Sequence, residues 1–281
     1  MNRNLVQKIG FFVLTLSAIA VVAPILVVVG IIFFEGVRAL SWEFISAMPY
    51  EGMKEGGIFP AILGTLILTF GTALAAIPIG VGGTVYLAEY ARDTWMTRAI
   101  RLAIVNLAGI PSIVYGLFGL GMFVLFLHMG TSILAGVLTL AIMTLPVIIS
   151  TAEEALRAVP MEFRTVSASL GGTRWQGIRH IVLPQALPGI ITGTILGLLR
   201  AAGETAPILF TVAAFYLPRL PQSPFDQVMS LPYHLYVIST QVPGMPISVQ
   251  YGTALVLLIL VLSMNVGATI IRSYFRRRRQ W

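Results

Sequence analysis

Apolar residues in this chain come in long unbroken runs, with polar residues confined to the connections. Six runs stand out: residues 9–34, 59–87, 100–127, 132–150, 187–217 and 251–271. Each is close to or above the roughly 20 residues that carry a helix across a hydrocarbon core. The pattern predicts an all-α integral membrane protein with six transmembrane helices. Pro78, Pro111 and Pro207 fall within these runs. Each removes a helical hydrogen bond, so kinks or breaks are expected there. Ala18-Ile19-Ala20 in the first run has the small-x-small look of a cleavage site. The run is too long for a signal-peptide core of about 7 to 15 residues, so it reads as a retained span.

Positive charge orients the spans. Of the 18 Lys and Arg residues, fourteen fall at the two termini and in the connections after spans two and four. Only Arg38, Lys54 and Arg219 fall on the opposite side. The positive-inside rule then expects both termini in the cytoplasm. Arg276-Arg277-Arg278-Arg279 reads either as a stop-transfer anchor or as a lipid or partner site. Three regions follow: an N-terminal span with its outer loop (1–58), a core of five spans (59–271) and a basic tail (272–281).

Composition narrows the function. Charged residues make up 10% of the 281, against about 25% in soluble proteins. The net charge of +7 suits nucleic acid in principle, but it sits beside the spans, where topology accounts for it. There is no cysteine, hence no thiol chemistry or thiolate metal site. His128, His180 and His234 lie in three different connections and offer no metal-ligand set. The two lysines, Lys8 and Lys54, follow no phosphate-binding loop. No catalytic, metal or cofactor site is expected, and the chain reads as a conduit driven by a partner.

The connection 151–186 is long enough to carry structure. Glu153 to Pro160 continues the fourth span as helix, and a second helical unit covers 162–170. Gly171-Gly172 can end that unit through a left-handed cap. Thr173 can cap a third unit whose stripe is Trp175, Ile178 and Val182, with Leu183-Pro184 ending it. Such a bent helical pair is either a docking element for a cytosolic partner or a hairpin packed on its own spans.

Arg200 and Glu204 stand one helical turn apart in the otherwise apolar Leu198-Leu199-Arg200-Ala201-Ala202-Gly203-Glu204-Thr205-Ala206-Pro207. A charge near the bilayer centre costs roughly 2.5 to 3.5 kcal/mol on insertion scales, so ionisable residues there default to function. The pair either lines a substrate pathway or locks two helices together. Gly193, Gly197, Ala201 and Gly203 read as close-packing positions. The segment 218–248 holds six prolines and an apolar stretch, 231–238, that reads as a short helix at the membrane surface or against an outer partner.

Two motifs carry a family resemblance. Leu170-Gly171-Gly172-Thr173-Arg174-Trp175-Gln176 with Ile181-Val182-Leu183-Pro184 resembles the "EAA" loop of ABC importer permeases, with Thr165 where that loop has Glu. The stretch from Arg200 to Pro207, with Ile77-Pro78-Ile79-Gly80 and Tyr86-Leu87-Ala88-Glu89-Tyr90-Ala91, resembles the phosphate-specific ABC permeases of the A type. The resemblance implies a type I ABC importer permease-like fold with a coupling-helix loop at 151–186. It implies substrate-pathway roles for Arg200, Glu204 and Thr205. Coupling to an ATPase subunit would fall to Arg164, Thr165, Ser169, Leu170, Gly171, Gly172 and Trp175. The implied partners are a C-type permease, two ATP-binding subunits that carry the ATP and Mg, an outer phosphate-binding protein and membrane lipid. The implied function is inorganic phosphate import. Permeation of another oxyanion such as molybdate or sulfate, secondary transport on an ion gradient, and a non-transporting scaffold or sensor remain open.

Overall fold

The computed structural model describes residues 3–169 and 171–277 of the chain. Leu170 and the end of the basic tail, from residue 278, lie outside the described residues. The helices run in order α1 Arg3–Gly36, α2 Trp42–Ser46, α3 Phe59–Val85, α4 Trp95–Ala108, α5 Ser112–Gly119 and α6 Ile133–Arg157. They continue as α7 Met161–Ser169, α8 Arg174–Gly177, α9 Leu183–Gly203, α10 Ala206–Thr211, α11 Leu231–Thr240 and α12 Ile247–Arg277. A two-residue antiparallel pair, β1 Pro49–Tyr50 with β2 Glu55–Gly56, follows α2.

Five helical stretches are long and apolar enough to cross a membrane. The third expected span, 100–127, differs. Residues 95–126 form two helices bent by 106° at Gly109-Ile110-Pro111. Pro111 supplies no N–H, which ends α4, and the Leu107 carbonyl there accepts both the Ile110 amide at 3.1 Å and the Tyr115 hydroxyl at 2.8 Å. Pro78 behaves otherwise and sits inside an unbroken α3. The fifth expected span also differs. It starts at Arg174, because α8, a π turn at Ile178–Val182 and α9 form one helix of 30 residues. It ends at Gly203, and Pro207 opens the separate α10. Leu183-Pro184 therefore does not end a helix. The wider π turn makes room for the proline ring, which would strike the preceding turn of a regular α-helix.

The core is α6 flanked by α3 and α9, with α5 and α10 packed beside it. Along the α6–α9 seam, Gly189, Gly193 and Gly197 recur every four residues. A methyl group on Gly193 would fall 1.7 Å from Thr151 Oγ1. This is small-residue packing of membrane helices, in which backbones approach until side chains interlock. Ala201 is buried on the same face, but Gly203 looks into open space, so its expected packing role is not met. Threonines on the core helices satisfy their hydroxyls on the carbonyl one turn back, as Thr65, Thr139 and Thr151 do at 2.7–2.8 Å. By contrast, α1 packs along α12 and leaves most of its apolar surface exposed.

The N-terminus of α6 shows why the loop before α11 is ordered. Its orphan amides are all used: Ser132 N–H donates to Thr211 O, Ile133 to Asp226 O, Leu134 to Pro224 O, and Ala135 to Ser132 Oγ. The Asp226 carboxylate in turn accepts the Gln222 and Ser223 amides, which hold it below the usual carboxylate range. Helix α11 is not a surface helix. Leu231, Pro232, Tyr233, His234, Val237 and Ile238 are buried against α3 and α12. His234 is thus a core residue, not a loop histidine, and its Nδ1 has no hydrogen-bond partner.

The glycine seam predicts that Gly193→Ala lowers stability in detergent by about 1–3 kcal/mol. Thr151→Gly in the same chain should restore part of the loss, and Gly203→Ala should leave the melting temperature unchanged. Equal losses at both glycines would disprove the seam. His234 predicts acid sensitivity. Burial pushes its pKa down to about 4, against about 6.5 in the unfolded chain. The unfolded state then binds the extra proton, so stability is full above pH 6.5 and falls toward pH 4, by about 2 kcal/mol at pH 5. His234→Gln should flatten that part of the melting-temperature profile; an unchanged slope would assign it to other groups.

Candidate functional site

Arg200 lies in the last turn of α9, and Glu204 is the residue that ends it, with extended backbone at φ −76°, ψ 137°. Arg200 Nε reaches Glu204 Oε1 at 3.4 Å, a long contact made by one donor of five. Glu204 is the more enclosed partner, its side chain 16% exposed against 39% for Arg200. Around it five elements meet. Thr65 and Thr69 of α3, Leu140 of α6, Ala202 of α9, Ile208 of α10 and Ser230 beside α11 line a void of about 10 Å³, room for one water at most. The Thr65 hydroxyl also accepts the Leu231 amide at 2.8 Å, tying α3 to α11. Ser230 Oγ is buried without a partner. Thr205 follows as the first residue of the next turn and makes no side-chain cap.

The second break packs against the first. Gly116 of α5 lies so close to Ala206 O and Pro207 of α10 that a methyl group there would sit about 3 Å from each. The Arg200 charge also lies within electrostatic range of the Tyr115 hydroxyl. Glu204, half-buried, and Arg200, exposed, therefore stand beside the meeting of two interrupted helices. They are not in the middle of a continuous helix.

A second polar centre forms at the arginine-rich end. There α3 runs into a π turn, Tyr86–Tyr90, which frees carbonyl groups and buries Glu89 to 6% exposure. The Glu89 carboxylate receives Arg164 of α7, and the Glu89 carbonyl receives Arg174 of α8. Arg164 also donates to Leu156 O at 2.7 Å, at the end of α6. Arg174 lies over the Tyr90 ring at 5.2 Å. On the other side Arg101 of α4 donates to Leu87 O at 2.7 Å and pairs with Glu153 of α6 at 2.9 Å. Cations at the carbonyl ends of helices are favourable both as hydrogen bonds and through the helix dipole. A cleft of about 700 Å³ opens between these groups, lined by Glu89, Arg157, Met161, Arg164 and Arg174.

The expected caps of the α7–α8 hairpin are present. Gly171 takes φ +75°, and Thr173 forms a reciprocal capping box with Gln176. Gly172 donates to Ser167 O at 2.8 Å. Thr165 and Ser169 are exposed and bond only to carbonyls of their own helix. Arg164 turns inward. The expected stripe splits: Ile178 and Val182 are buried, and Trp175 is 52% exposed. The split falls at the first turn, where Trp175 beside the Thr173 cap stays exposed, while Ile178 and Val182 at the two ends of the π turn are both buried. Among the residues the sequence did not single out, Thr65, Thr69, Ser230, Arg101 and Glu153 belong to these centres. The signal for the first two was a four-residue threonine spacing on an apolar span. Glu89 stood in a quoted motif without a role.

Comparison with known proteins agrees with this architecture. A family model described as "Binding-protein-dependent transport system inner membrane component" matches residues 76–281. A relative from Bacillus subtilis named "Probable ABC transporter permease protein YqgI" is 37% identical over 95% of both chains. "Phosphate transport system permease protein PstA 1" of Mycobacterium tuberculosis is 37% identical over 80% of this chain and 72% of its own. "Probable phosphate transport system permease protein PstA" of Methanocaldococcus jannaschii is 36% identical over 76% and 75%. Two solved structures share the fold. A bacterial ABC transporter involved in alginate import has TM-score 0.69 and 13% identity, covering 97% of this chain and 99% of the matched chain. The inward-facing MetNI methionine ABC transporter has 0.62 and 19%, covering 76% and 94%. The chain belongs to the binding-protein-dependent transport system inner membrane components, together with the relatives named PstA.

Proposed function

We propose that this permease subunit carries inorganic phosphate in an ATP-driven importer. The observation that carries the reading is the Arg200–Glu204 pair, set at the meeting of two helix breaks. Arg offers a rigid fork of donors that matches a tetrahedral oxyanion. The long single contact to Glu204 leaves most of that fork available. Glu204 holds the charge until substrate competes for it, and Thr205 with the unpartnered Ser230 hydroxyl supplies neutral donors. The void of about 10 Å³ is too small for phosphate, so passage needs the surrounding helices to part. The names of the PstA relatives support phosphate as the cargo.

Family membership supports the rest of the proposed assembly. Both termini lie in the cytoplasm, the chain pairs with a C-type permease, and a phosphate-binding protein delivers substrate from outside. Two ATP-binding subunits, which hold ATP and Mg, dock on the hairpin. Thr165, Ser169, Leu170, Gly171, Gly172 and Trp175 form the docking side, and Arg164 supports it from within. Among the described residues no group of His, Asp or Glu is placed to hold a metal ion.

Labelled phosphate uptake in cells with and without the chain tests the cargo and its drive. Uptake should need the chain and ATP, survive collapse of the proton gradient, and resist excess sulfate or molybdate. Uptake that follows the gradient would point to a secondary carrier, and strong competition to a different oxyanion. Within that assay Arg200→Gln should lower phosphate uptake at least a hundredfold, with the membrane complex assembled at wild-type amounts; normal uptake removes Arg200 from the path. At the hairpin, Trp175→Ala should weaken capture of the ATP-binding subunits by about tenfold, as loss of an aromatic interface anchor does. Undiminished capture by the purified variant would place docking elsewhere.

A further inference from the structure

We infer that Glu89 is a positioning residue that fastens the α7–α8 hairpin to the transport core, so that motion of the hairpin reaches the Arg200–Glu204 site. This rests on the reading that ATP-binding subunits act on the hairpin. In this chain Thr165 stands where the related loops have Glu, and it is exposed and bonded only to its own helix. A carboxylate serves the hairpin nonetheless, from the opposite direction. Glu89 lies at the end of α3, 75 residues before Arg164 in the sequence, and receives that arginine while being almost fully buried. The same residue's carbonyl takes Arg174. One residue thus binds both helices of the hairpin.

Two rigid helices leave this point toward the candidate pathway. The stretch Phe59–Tyr90 is helical over 32 residues, about 48 Å at 1.5 Å per residue. Near its far end it carries Thr65 and Thr69, which line the void beside Glu204. The stretch Arg174–Gly203 is helical over 30 residues. It starts with the arginine held by Glu89 and carries Arg200 in its last turn. Glu89 therefore ties together, at one end, two helices that meet again at the other. A push on the hairpin moves both as a unit while the tie holds. Once it is released, the hairpin can swing into the neighbouring cleft of about 700 Å³ without displacing α3. Coupling of this kind needs an element with two arrangements that both sites bias, and the tied helix pair supplies it.

The chain has no cysteine, which allows a test with the folded state held constant. Glu89→Cys with Arg164→Cys is assembled with both permeases, the ATP-binding subunits and the binding protein in liposomes. Phosphate carried per ATP hydrolysed is then measured before and after a short reversible bis-thiosulfonate crosslinker joins the two thiols. The ratio should fall at least tenfold without the crosslink and return toward wild type with it. Reduction of the crosslink should lower it again. A wild-type ratio without the crosslink overturns the inference, as does a low ratio that the crosslink leaves unchanged. Should the double variant fail to assemble, Glu89→Gln decides by the same ratio: coupled transport at the wild-type ratio rejects the tie, and hydrolysis with little transport upholds it. A wild-type assembly that hydrolyses ATP and carries no phosphate would instead defeat the functional reading.

Discussion

Inside a hydrocarbon slab every backbone N–H and C=O must find a partner within the protein, and this constraint governs the rest of the molecule. Unbroken helices meet it without help, which is why α1 can show lipid nearly all of its surface. The two interrupted segments cannot. The break at Gly109-Ile110-Pro111 and the break at Glu204-Thr205 each leave carbonyls and amides without helical partners. They are placed against the core, with α5 packed on α10, and side chains such as Tyr115 add hydrogen bonds to the carbonyls there. Packing of the breaks against the core is what brings polar chemistry to this part of the bundle, with Glu204 turned inward and Arg200 at its exposed edge.

Charge elsewhere follows the same economy. Leu87, Glu89 and Leu156 each have a carbonyl at or near a helix end, and each accepts an arginine from a neighbouring helix. The guanidinium groups thus serve at once as caps and as struts. At the opposite end the open groups are amides that need acceptors, and Thr211 of α10 with a loop that folds back supplies carbonyls to the amides of α6. One end of the bundle is held by side-chain charge and the other by main chain.

Much of this could be read from the sequence, for definite reasons. Apolar runs longer than the bilayer core have almost no alternative to spanning helix, so α1, α3, α6 and α12 fall within a few residues of expectation. Gly171 and Thr173 carry local conformational preferences that do not depend on the rest of the fold, and both caps form. Proline marked where a helix could fail and not how far. Pro78 leaves α3 intact while Pro111 turns the chain through a right angle, because only the packing around each decides. The Trp175 stripe misled because Trp175 sits in the first turn of its helix, where no neighbouring element covers it, while Ile178 and Val182 are buried. His234 and Glu89 owe their character to what packs on them from distant parts of the chain, which one residue's identity does not disclose.

The π turn, Ile178–Val182, fixes an angular relation between two halves of one helix. The glycine seam locks the rotation of α9 against α6, so any error in residue count upstream must appear as twist in the hairpin. A regular helix turns by about 100° per residue. Losing a single residue from the regular helix between Leu183 and Gly189 would leave every functional side chain present and the seam undisturbed. It would still rotate Arg174 more than a quarter turn away from the end of α3. For this chain, helix length between residues 174 and 189 is as much a determinant of the machine as any side chain in it.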